Sequence, residues 1–410
     1  MTRSLVSCAL IAALVSTASA PLALVAQSAP APILKVVVDN HALAVRADST
    51  VIGWGRFRAG QLGEQPVLTS RRRYGVAAPV PIALPGKVID VAVGEDASYA
   101  LLDDGTVYAW GANSQGELGI GSTDAPTLPN GEKGFTTPQQ VRGLRDVVQI
   151  GAMNHSALAL LRDGTMRAWG SRDWGVLGDA MVASPRGETL PPATTPIVVP
   201  NVRDVRQFSI GGWHVVALTS DGRMFAWGGN AHGELGTGEK SVSPIRHAVE
   251  MARVPDVVSA VAGNGVTGFV KRDGTVWMVG GTAGGLFGIP EEQTDANDAS
   301  IVTPRAVPGV RNAVALSMSF VGRHAIALLK DGTLRGWGNS DWGQVGNGVG
   351  GTFVWTPVTP KIAGVTSAWA TGNNSFAVTR DGGFWIWGGE RGGTGVLATN
   401  QKVPVRFPLP

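Results

Sequence analysis

Short apolar runs recur along the whole chain and are separated by glycine, proline and polar residues. In the run from Val107 to Trp110, apolar Val107 and Ala109 alternate with the bulkier Tyr108 and Trp110. This two-residue period is typical of a strand, whose successive side chains point to opposite faces. No region keeps the apolar spacing of a helix. The pattern therefore predicts many short strands joined by tight turns.

One stretch, Asp104-Gly105-Thr106-Val107-Tyr108-Ala109-Trp110-Gly111, returns through most of the sequence. Further copies, some weaker, begin at Asp48, Asp163, Asp221, Asp273, Asp331 and Asp381. Successive copies start about 50 to 59 residues apart. A fixed period of this size is typical of a solenoid, a propeller or an array.

Each repeat contains four strand-like pieces, and the second and third are joined by Asp-Gly, as at Asp163-Gly164. Asp-Gly is a strong hairpin signal because the glycine accepts the positive φ of a primed turn. Four antiparallel strands repeated seven times make a set of blades. We therefore predict an all-β protein, a seven-bladed β-propeller of four-stranded antiparallel blades spanning residues 32–410.

A Trp-Gly pair ends the third strand of six repeats. We expect each indole to wedge between neighbouring blades, where a large aromatic side chain buries much apolar area. The tryptophans expected in this structural ring are Trp54, Trp110, Trp169, Trp227, Trp337 and Trp387. Repeat five has Val279 at this position, and repeat one has Ser49 where the other repeats have the turn glycine.

Composition supports this fold and limits the function. The chain of 410 residues has 57 Gly, 25 Pro and 13 Trp, a combination that suits short strands and tight turns. The formal charge of +3 is a slight surplus rather than the basic footprint of a nucleic-acid-binding protein. We therefore expect no nucleic-acid partner.

The N-terminus has the pattern of a secretory signal peptide over residues 1–26. Arg3 precedes an apolar run from Leu5 to Val15, and small residues follow. We expect cleavage between residues 20 and 29, export to the periplasm or the medium, and no membrane span afterwards. The alternative is an uncleaved anchor, since the apolar stretch is nearly long enough to cross a bilayer. Cys8, the only cysteine, lies in this leader, so the mature chain would have no thiol.

Three motifs carry a family resemblance. They are Gly-x-x-His before an apolar strand, as in Gly211-Gly212-Trp213-His214, then Asp-Gly-Thr-Val-Tyr-Ala-Trp-Gly, then Asn-x-x-Gly-x-Leu-Gly. Together they resemble the regulator of chromosome condensation repeat over nearly the whole chain. The resemblance implies a seven-bladed propeller, here an exported bacterial one. Its members include a nuclear nucleotide-exchange factor and a secreted bacterial inhibitor of beta-lactamases, which both act through protein contacts.

The residues that could do chemistry are spread around the ring. His41, His155, His214 and His324 occupy equivalent positions in different repeats, so we expect hydrogen-bonded structural histidines and no metal site. The repeated aspartates are expected to be turn formers. No phosphate loop, nucleophile elbow or zinc-binding helix motif is present. We therefore predict no catalytic residue, no cofactor and no enzymatic activity.

The loops between third and fourth strands break the repeat most strongly. In an antiparallel blade these loops emerge on the same face as the turns between first and second strands, and variable loops on a rigid scaffold commonly bind partners. Loop charges and aromatic residues outside the Trp-Gly ring suggest a protein-binding face. Its candidate residues are Arg71, Arg72, Arg73, Tyr74, Trp174, Glu291, Glu292, Trp342, Phe353 and Trp355. If repeats one and five lie across the ring, this face has a positive side and a negative side.

The sequence thus favours an exported, monomeric, non-enzymatic module that binds an unknown extracytoplasmic or surface protein through one propeller face. Solvated loop charges, and packing of Trp174 and Trp342 onto their own blades, are the alternatives for the candidate residues. A carbohydrate-binding or enzymatic propeller is a second hypothesis, which an acidic pair with perturbed pKa in one pocket would favour. A guanine-nucleotide exchange factor is a third, and the leader argues against it.

Overall fold

The computed structural model describes residues 31–63, 75–181, 190–290, 292, 300–319, 323–389 and 399–407. Its strands form seven antiparallel four-stranded sheets, and each sheet contains four consecutive strands. Neighbouring sheets along the chain contact one another, and the first sheet contacts the last. The predicted seven-bladed propeller is confirmed.

The first four blades contain strands β1 to β16 in chain order. Blade 1 consists of Ile33–Val38, His41–Arg46, Val51–Arg56 and Gly75–Ile82. Blade 2 consists of Val88–Val93, Ala97–Leu102, Val107–Gly111 and Phe135–Gln140. Blade 3 consists of Val147–Met153, Ser156–Leu161, Met166–Gly170 and Ala193–Val198. Blade 4 consists of Val205–Ile210, His214–Thr219, Met224–Asn230 and Ser241–Glu250.

The remaining blades contain strands β17 to β28. Blade 5 consists of Val257–Ala262, Val266–Lys271, Val276–Gly281 and Ser300–Ala306. Blade 6 consists of Ala313–Met318, His324–Leu329, Leu334–Asn339 and Phe353–Val358. Blade 7 consists of Val365–Thr371, Asn374–Thr379, Phe384–Gly388 and Gln401–Arg406. Short 3-10 turns, Asp173–Gly175 and Ala283–Gly285, lie in the loops of blades 3 and 5.

The first strand of each blade lies innermost and the fourth outermost. A central cavity of about 230 Å³ is lined by first strands, including those of blades 1, 2, 3, 4 and 7. Lys35 of blade 1, which lines this channel, forms an ion pair with Asp90 of the neighbouring blade 2 at 2.5 Å. The wall of the channel is thus partly polar, and the apolar residues pack between the blades.

The repeated aspartates close the turns between second and third strands, as predicted. Asp104 Oδ1 accepts hydrogen bonds from the Thr106 backbone N–H at 2.9 Å and from its hydroxyl at 2.6 Å. Gly105 between them has φ of 80°, a conformation that costs glycine little because it has no Cβ. In blade 1, Ser49 adopts φ of 67° in its place.

The Trp-Gly pairs join neighbouring blades. The indoles of Trp110 and Trp169 are 0% exposed, and each donates its N–H to a backbone carbonyl of the preceding blade. The bonds in the described part of the chain run from Trp110 to Gln61, Trp169 to Glu117, Trp227 to Val176, Trp337 to Leu286 and Trp387 to Gln344, at 2.6 to 2.9 Å. Trp54 is equally buried, and the corresponding carbonyl of blade 7 falls outside the described residues.

The glycine after each tryptophan is required by close packing. A Cβ on Gly170 would lie 2.1 Å from the carbonyl oxygen of His155, a distance that side-chain carbons do not adopt. Gly170 also has φ of 96°, and the pairing of third and fourth strands shifts register here. The Trp-Gly pair therefore buries the indole and, at the next residue, bends the strand.

Blade 5 lacks the indole bond but keeps a hydroxyl bond to the preceding blade. Val279 at the tryptophan position is fully buried, and the Thr267 hydroxyl donates to the Glu234 carbonyl of blade 4 at 2.8 Å. In blades 2 and 7 a serine hydroxyl donates to the same carbonyl as the indole. Blade 5 therefore keeps one of the two contacts, and its four strands remain paired.

The ring closes without a shared blade. Strands β1 to β4 form one sheet, and strands β25 to β28 form another. Ile33 and Val36 of blade 1 pack in one apolar cluster with Phe376 of blade 7. The Thr371 hydroxyl donates to the Val38 carbonyl at 2.5 Å. Packing and side-chain hydrogen bonding therefore close the seam, where the sequence had left the arrangement open.

Replacing Trp227 by alanine is expected to lower the free energy of unfolding by about 3–5 kcal/mol, because it leaves an inter-blade cavity and removes the hydrogen bond to Val176. Trp227→Phe should cost less, since it keeps most of the apolar volume. Trp277→Ala is the control, because that indole is only partly buried. Denaturant unfolding measures all three, and equal losses for Trp227→Ala and Trp277→Ala would contradict the wedge role.

Candidate binding site at the mouth of the propeller

One end of the channel opens into a polar cup. All seven blades contribute residues to it at or near the turn between their first and second strands, and it encloses about 660 Å³. We call this end of the ring the mouth face. The cup is lined by Asp39, Asn40, Glu95, Met153, Asn154, Gly212, Trp213, Asn264, Arg323, Asn339 and Asn373.

The side of the cup formed by blades 1 and 2 is acidic. Burial, followed by the negative charges of Glu95 and Asp96, raises the pKa of Asp39 to about 7. Asp96 is nearly buried, accepts a hydrogen bond from Gln61 Nε2 at 2.9 Å, and has Arg58 at 3.9 Å. Asp39 thus changes charge near neutral pH. Arg323 of blade 6 supplies a positive charge elsewhere on the lining.

Three of the four histidines expected at equivalent positions are structural, as predicted, and these three do share one register position. Each is fully buried, and its Nε2 meets a hydroxyl on the second strand of the next blade. These pairs are His41 with Ser98 at 2.7 Å, His214 with Thr267 at 2.8 Å, and His324 with Ser375 at 2.8 Å. Burial lowers the pKa of His41 to about 3 and of His214 to about 4.

His155 is the exception. In blades 1, 4 and 6 the histidine pairs with the glycine that follows the tryptophan. In blade 3 Ser156 takes that place opposite Gly170, and His155 lies one residue earlier. The imidazole is 34% exposed and lies between two carboxylates, with Nε2 3.4 Å from Glu95 and Nδ1 3.5 Å from buried Glu117. The hydrogen bond and charge of Glu117, followed by the charge of Glu95, outweigh burial and raise the pKa of His155. The expectation that all four histidines play one structural role is wrong at this position.

Two indoles from neighbouring blades pack together beside His155. Trp174 of blade 3 is 47% exposed and Trp213 of blade 4 is 37% exposed. Their ring centroids are 4.6 Å apart with an angle of 51° between the planes. Trp174 has φ of 57°, so the loop holds it in a left-handed conformation that is uncommon for a non-glycine residue.

The other predicted site residues do not join this pair. Arg71, Arg72, Arg73, Tyr74 and Glu291 lie outside the described residues, and Glu292 is exposed. Trp342 has the same repeat position as Trp174, but it lies against Gly389 of blade 7. Its side chain is therefore partly covered by the next blade.

Phe353 and Trp355 form a separate aromatic cluster. They belong to the outer strand of blade 6 rather than to a loop, which corrects the sequence interpretation. Their rings make an edge contact at 5.8 Å. Phe353 is 40% exposed and lies near Gly284 in the loop of blade 5.

Sequence reasoning missed Asp39, Glu95 and Trp213. Each lies in a first turn that the repeat alignment treats as equivalent, so only departures from the repeat could have indicated them. Trp213 is such a departure, because the same position is held by Asn40 in blade 1 and by Asn373 in blade 7.

The described residues also bear on a metal site and on a membrane-spanning helix. In the residues that the structure describes, no three His, Cys, Asp or Glu side chains are placed to hold a metal ion together. The helical segments of that same part of the chain include none with the length and apolar character needed to cross a membrane.

Comparison with known proteins agrees with this architecture. A model of the regulator of chromosome condensation (RCC1) repeat matches residues 104–160 and 221–270, and a second model of that repeat matches residues 88–117 and 205–234. The chain carries RCC1 repeats. These matches fall on blades 2 to 5, which include the region of the Trp174 and Trp213 pair.

Relatives with RCC1 repeats differ widely in length. Ultraviolet-B receptor UVR8 of Arabidopsis thaliana is 27% identical over 403 residues, which are 93% of this chain and 83% of the receptor. Protein pim1 of Schizosaccharomyces pombe is 32% identical over 238 residues, 55% of this chain and 42% of pim1. The human E3 ubiquitin-protein ligase HERC2 is 26% identical over 364 residues, 85% of this chain but 7% of HERC2.

Solved structures support the fold. Prp20p from Saccharomyces cerevisiae superposes with a TM-score of 0.70 at 22% identity, covering 85% of this chain and 84% of Prp20p. Human WBSCR16 superposes with a TM-score of 0.72 at 20% identity, covering 88% of this chain and 95% of WBSCR16. At these identities the likeness concerns the propeller architecture alone.

The free energy of unfolding should fall as the pH drops from 6.5 toward 4, because the unfolded chain binds a proton at His214 that the native protein excludes. Replacing His214 by glutamine should reduce this slope by about 1.4 kcal/mol per pH unit. Asp39, whose pKa is raised, changes the free energy of unfolding with pH in the opposite direction. This change is the same in wild type and in His214→Gln, so it cancels in the comparison. Denaturant unfolding across this range checks the prediction, with exposed His247→Gln as the control. Parallel profiles for wild type and His214→Gln would contradict it.

Proposed function

We propose that the protein is an exported, non-enzymatic propeller that binds another extracytoplasmic protein through its mouth face. The single observation that carries this proposal is the exposed Trp174 and Trp213 pair, held on two neighbouring blades. Soluble proteins usually expose large aromatic residues where they bind something, and tryptophan is prominent among residues that dominate interface energy.

The scaffold favours protein contact at this place. Trp174 stands on the loop between third and fourth strands of blade 3, and Trp213 on a tight turn of blade 4. The buried Trp227 indole anchors the loop, because its N–H donates to the Val176 carbonyl. The turn is held by the Gly229 N–H, which donates to the Trp213 carbonyl at 2.7 Å. An interface built on such fixed groups loses little conformational entropy on binding.

Charge on the mouth face would orient the partner. The side of the cup formed by blades 1 and 2 is acidic, because Asp39, Glu95 and Asp96 lie close together there. The sequence also predicts basic residues, Arg71 to Arg73, on the binding face, and these lie outside the described residues. A face that carries both signs of charge would favour a partner with a matching pattern, and charge affects association rate and specificity more than affinity.

The relatives supply an analogy and an alternative. Prp20p of Saccharomyces cerevisiae has binding properties toward Gsp1p and histones, and yeast RCC1 (Prp20) forms a complex with Kap60. Partner binding by an RCC1-type propeller is the part of this analogy that the proposal adopts. Regulation of nucleotide exchange on a small GTPase remains the alternative, and it requires that the chain stays in the cytoplasm.

A second candidate function rests on Asp39. Asp39 has a pKa of about 7 and lies beside Glu95 and Asp96. The cup around it is lined by amide side chains. An acidic pocket of this kind favours a carbohydrate-binding or enzymatic propeller. Carboxamides and carboxylates suit the hydroxyls of a sugar. Saturable binding of oligosaccharides that Asp39→Asn abolishes, in the absence of any protein partner, would favour this function over the first.

Affinity capture from extracytoplasmic fractions, with the mature chain as bait, tests the protein-binding proposal. We expect wild type to retain a specific protein and the folded double variant Trp174→Ala, Trp213→Ala to lose it, because the variant removes the exposed aromatic pair. A separate charge reversal at Arg71 to Arg73 should weaken capture and reduce its dependence on salt.

Trp277→Ala is the matched control for this capture, since it removes a partly exposed indole from blade 5 outside the cup lining. It should retain the partner as wild type does. If wild type retains no specific protein, or if the double variant retains the partner equally well, the mouth face is not the binding site.

Export predicts a shortened mature chain. The protein recovered from the cell envelope or the medium should begin between residues 21 and 30, because the leader is removed after a residue between 20 and 29. N-terminal sequencing or intact mass measurement checks this. An uncut chain found with the membrane fraction would instead identify an anchor, and an uncut chain in the cytoplasm would favour the exchange-factor alternative.

A further inference from the structure

A small pocket lies on the mouth face where blades 2, 3 and 4 meet. It encloses about 250 Å³, and its lining includes Glu95, His155, Asp173, Trp174 and Trp213. Pockets for drug-sized ligands range over roughly 300–1,000 Å³. The space therefore suits one large side chain rather than a cofactor.

The aromatic wall of the pocket offers exposed ring faces. Trp174 and Trp213 lie at 51° to one another and each keeps more than a third of its surface open. The face of an indole carries partial negative charge and attracts a cation placed within about 6 Å of the ring. A planar cation can also stack flat on such a face.

Two carboxylates line the same pocket. Glu95 is 45% exposed, and Asp173 lies directly before Trp174 at the pocket edge. Both can accept hydrogen bonds from an incoming donor. Glu117 adds a fully buried carboxylate behind His155.

His155 lies between Glu95 and Glu117 at 3.4 and 3.5 Å, so a protonated imidazole there is matched by two carboxylates. Among the side chains that line the pocket, Glu95 and Asp173 are acidic and His155 is basic. Carboxylates are therefore in excess at the pocket, and its charge favours a positive ligand.

The arginines around the pocket already have partners. Arg58 is directed to Asp96 and Glu132. Arg172 pairs with Asp179 at 2.6 Å, and Arg246 donates to the Arg172 carbonyl.

We propose that this pocket binds the guanidinium of an arginine side chain that the partner protein presents. The guanidinium would stack on the exposed indole faces and donate hydrogen bonds to Glu95 and Asp173. Its planar fork matches both the ring and the carboxylates, whereas the compact ammonium of lysine cannot stack in this way. This inference rests on the proposed protein-binding function and names the group that the mouth face recognises.

Titration of the mature chain with N-acetyl-arginine amide tests the proposal without any partner. Calorimetry and the indole N–H signals in NMR spectra report binding. N-acetyl-citrulline amide is the matched probe, since it keeps the shape and loses the charge. We expect the arginine probe to bind about tenfold tighter than the citrulline probe, and to weaken as salt is added.

Variants locate the site. Trp213→Ala and Glu95→Gln should each weaken the arginine probe by about two- to thirtyfold, while Trp213→Phe should recover most of the affinity because it keeps an aromatic face. Trp277→Ala is the control and should bind as wild type does. Far-UV circular dichroism establishes that each variant is folded.

The proposal fails if the two probes bind equally, if neither binds at millimolar concentration, or if Glu95→Gln leaves the arginine probe unaffected. The test separates this failure from that of the proposed function. If capture succeeds and depends on Trp174 while the arginine probe does not bind, the face binds its partner through other contacts. If the probe binds and no partner is captured, the pocket stands and the protein-binding role does not.

Discussion

The ring depends on one recurring contact, in which a buried indole donates its N–H to a carbonyl of the blade before it. The indole fills the gap between two sheets and also satisfies a buried carbonyl, so one side chain supplies packing and direction together. Trp-Gly must stay intact because the following glycine leaves no room for a Cβ. The fold can therefore change its loops freely while this contact holds the blades in place.

A second inter-blade contact explains where function can arise. Buried histidines meet a hydroxyl of the next blade in three places and become part of the framework. In blade 3 Ser156 holds the histidine position, and His155 lies one residue earlier, where it meets Glu95 and Glu117. Blade 4 carries Trp213 at the position that Asn40 holds in blade 1. The displaced histidine thus lies in the part of the mouth where the two exposed indoles meet.

The sequence predicted the architecture well because every blade repeats the same signals. Asp-Gly turns, alternating strands and the Trp-Gly pair recur in register, so weak copies such as that of blade 5 were read from strong ones. The candidate site was harder to predict, because residues distant along the chain meet at the mouth. Glu95, Trp174 and Trp213 come from three blades, and only Trp174 among them was predicted from the sequence, as an aromatic residue outside the Trp-Gly ring. Phe353 and Trp355 were placed in a loop because strand ends next to variable loops carry no turn signal.

Every blade consists of four strands that are consecutive along the chain, and this affects where the chain can begin. No strand from one end of the propeller completes a sheet begun at the other. The backbone hydrogen bonding of the sheets therefore does not depend on which blade comes first in the chain. A circularly permuted chain that began at any other inter-blade connection could pair the same strands in the same sheets. The seam between Val38 and Thr371 would then become an ordinary junction between blades, and another junction would become the seam.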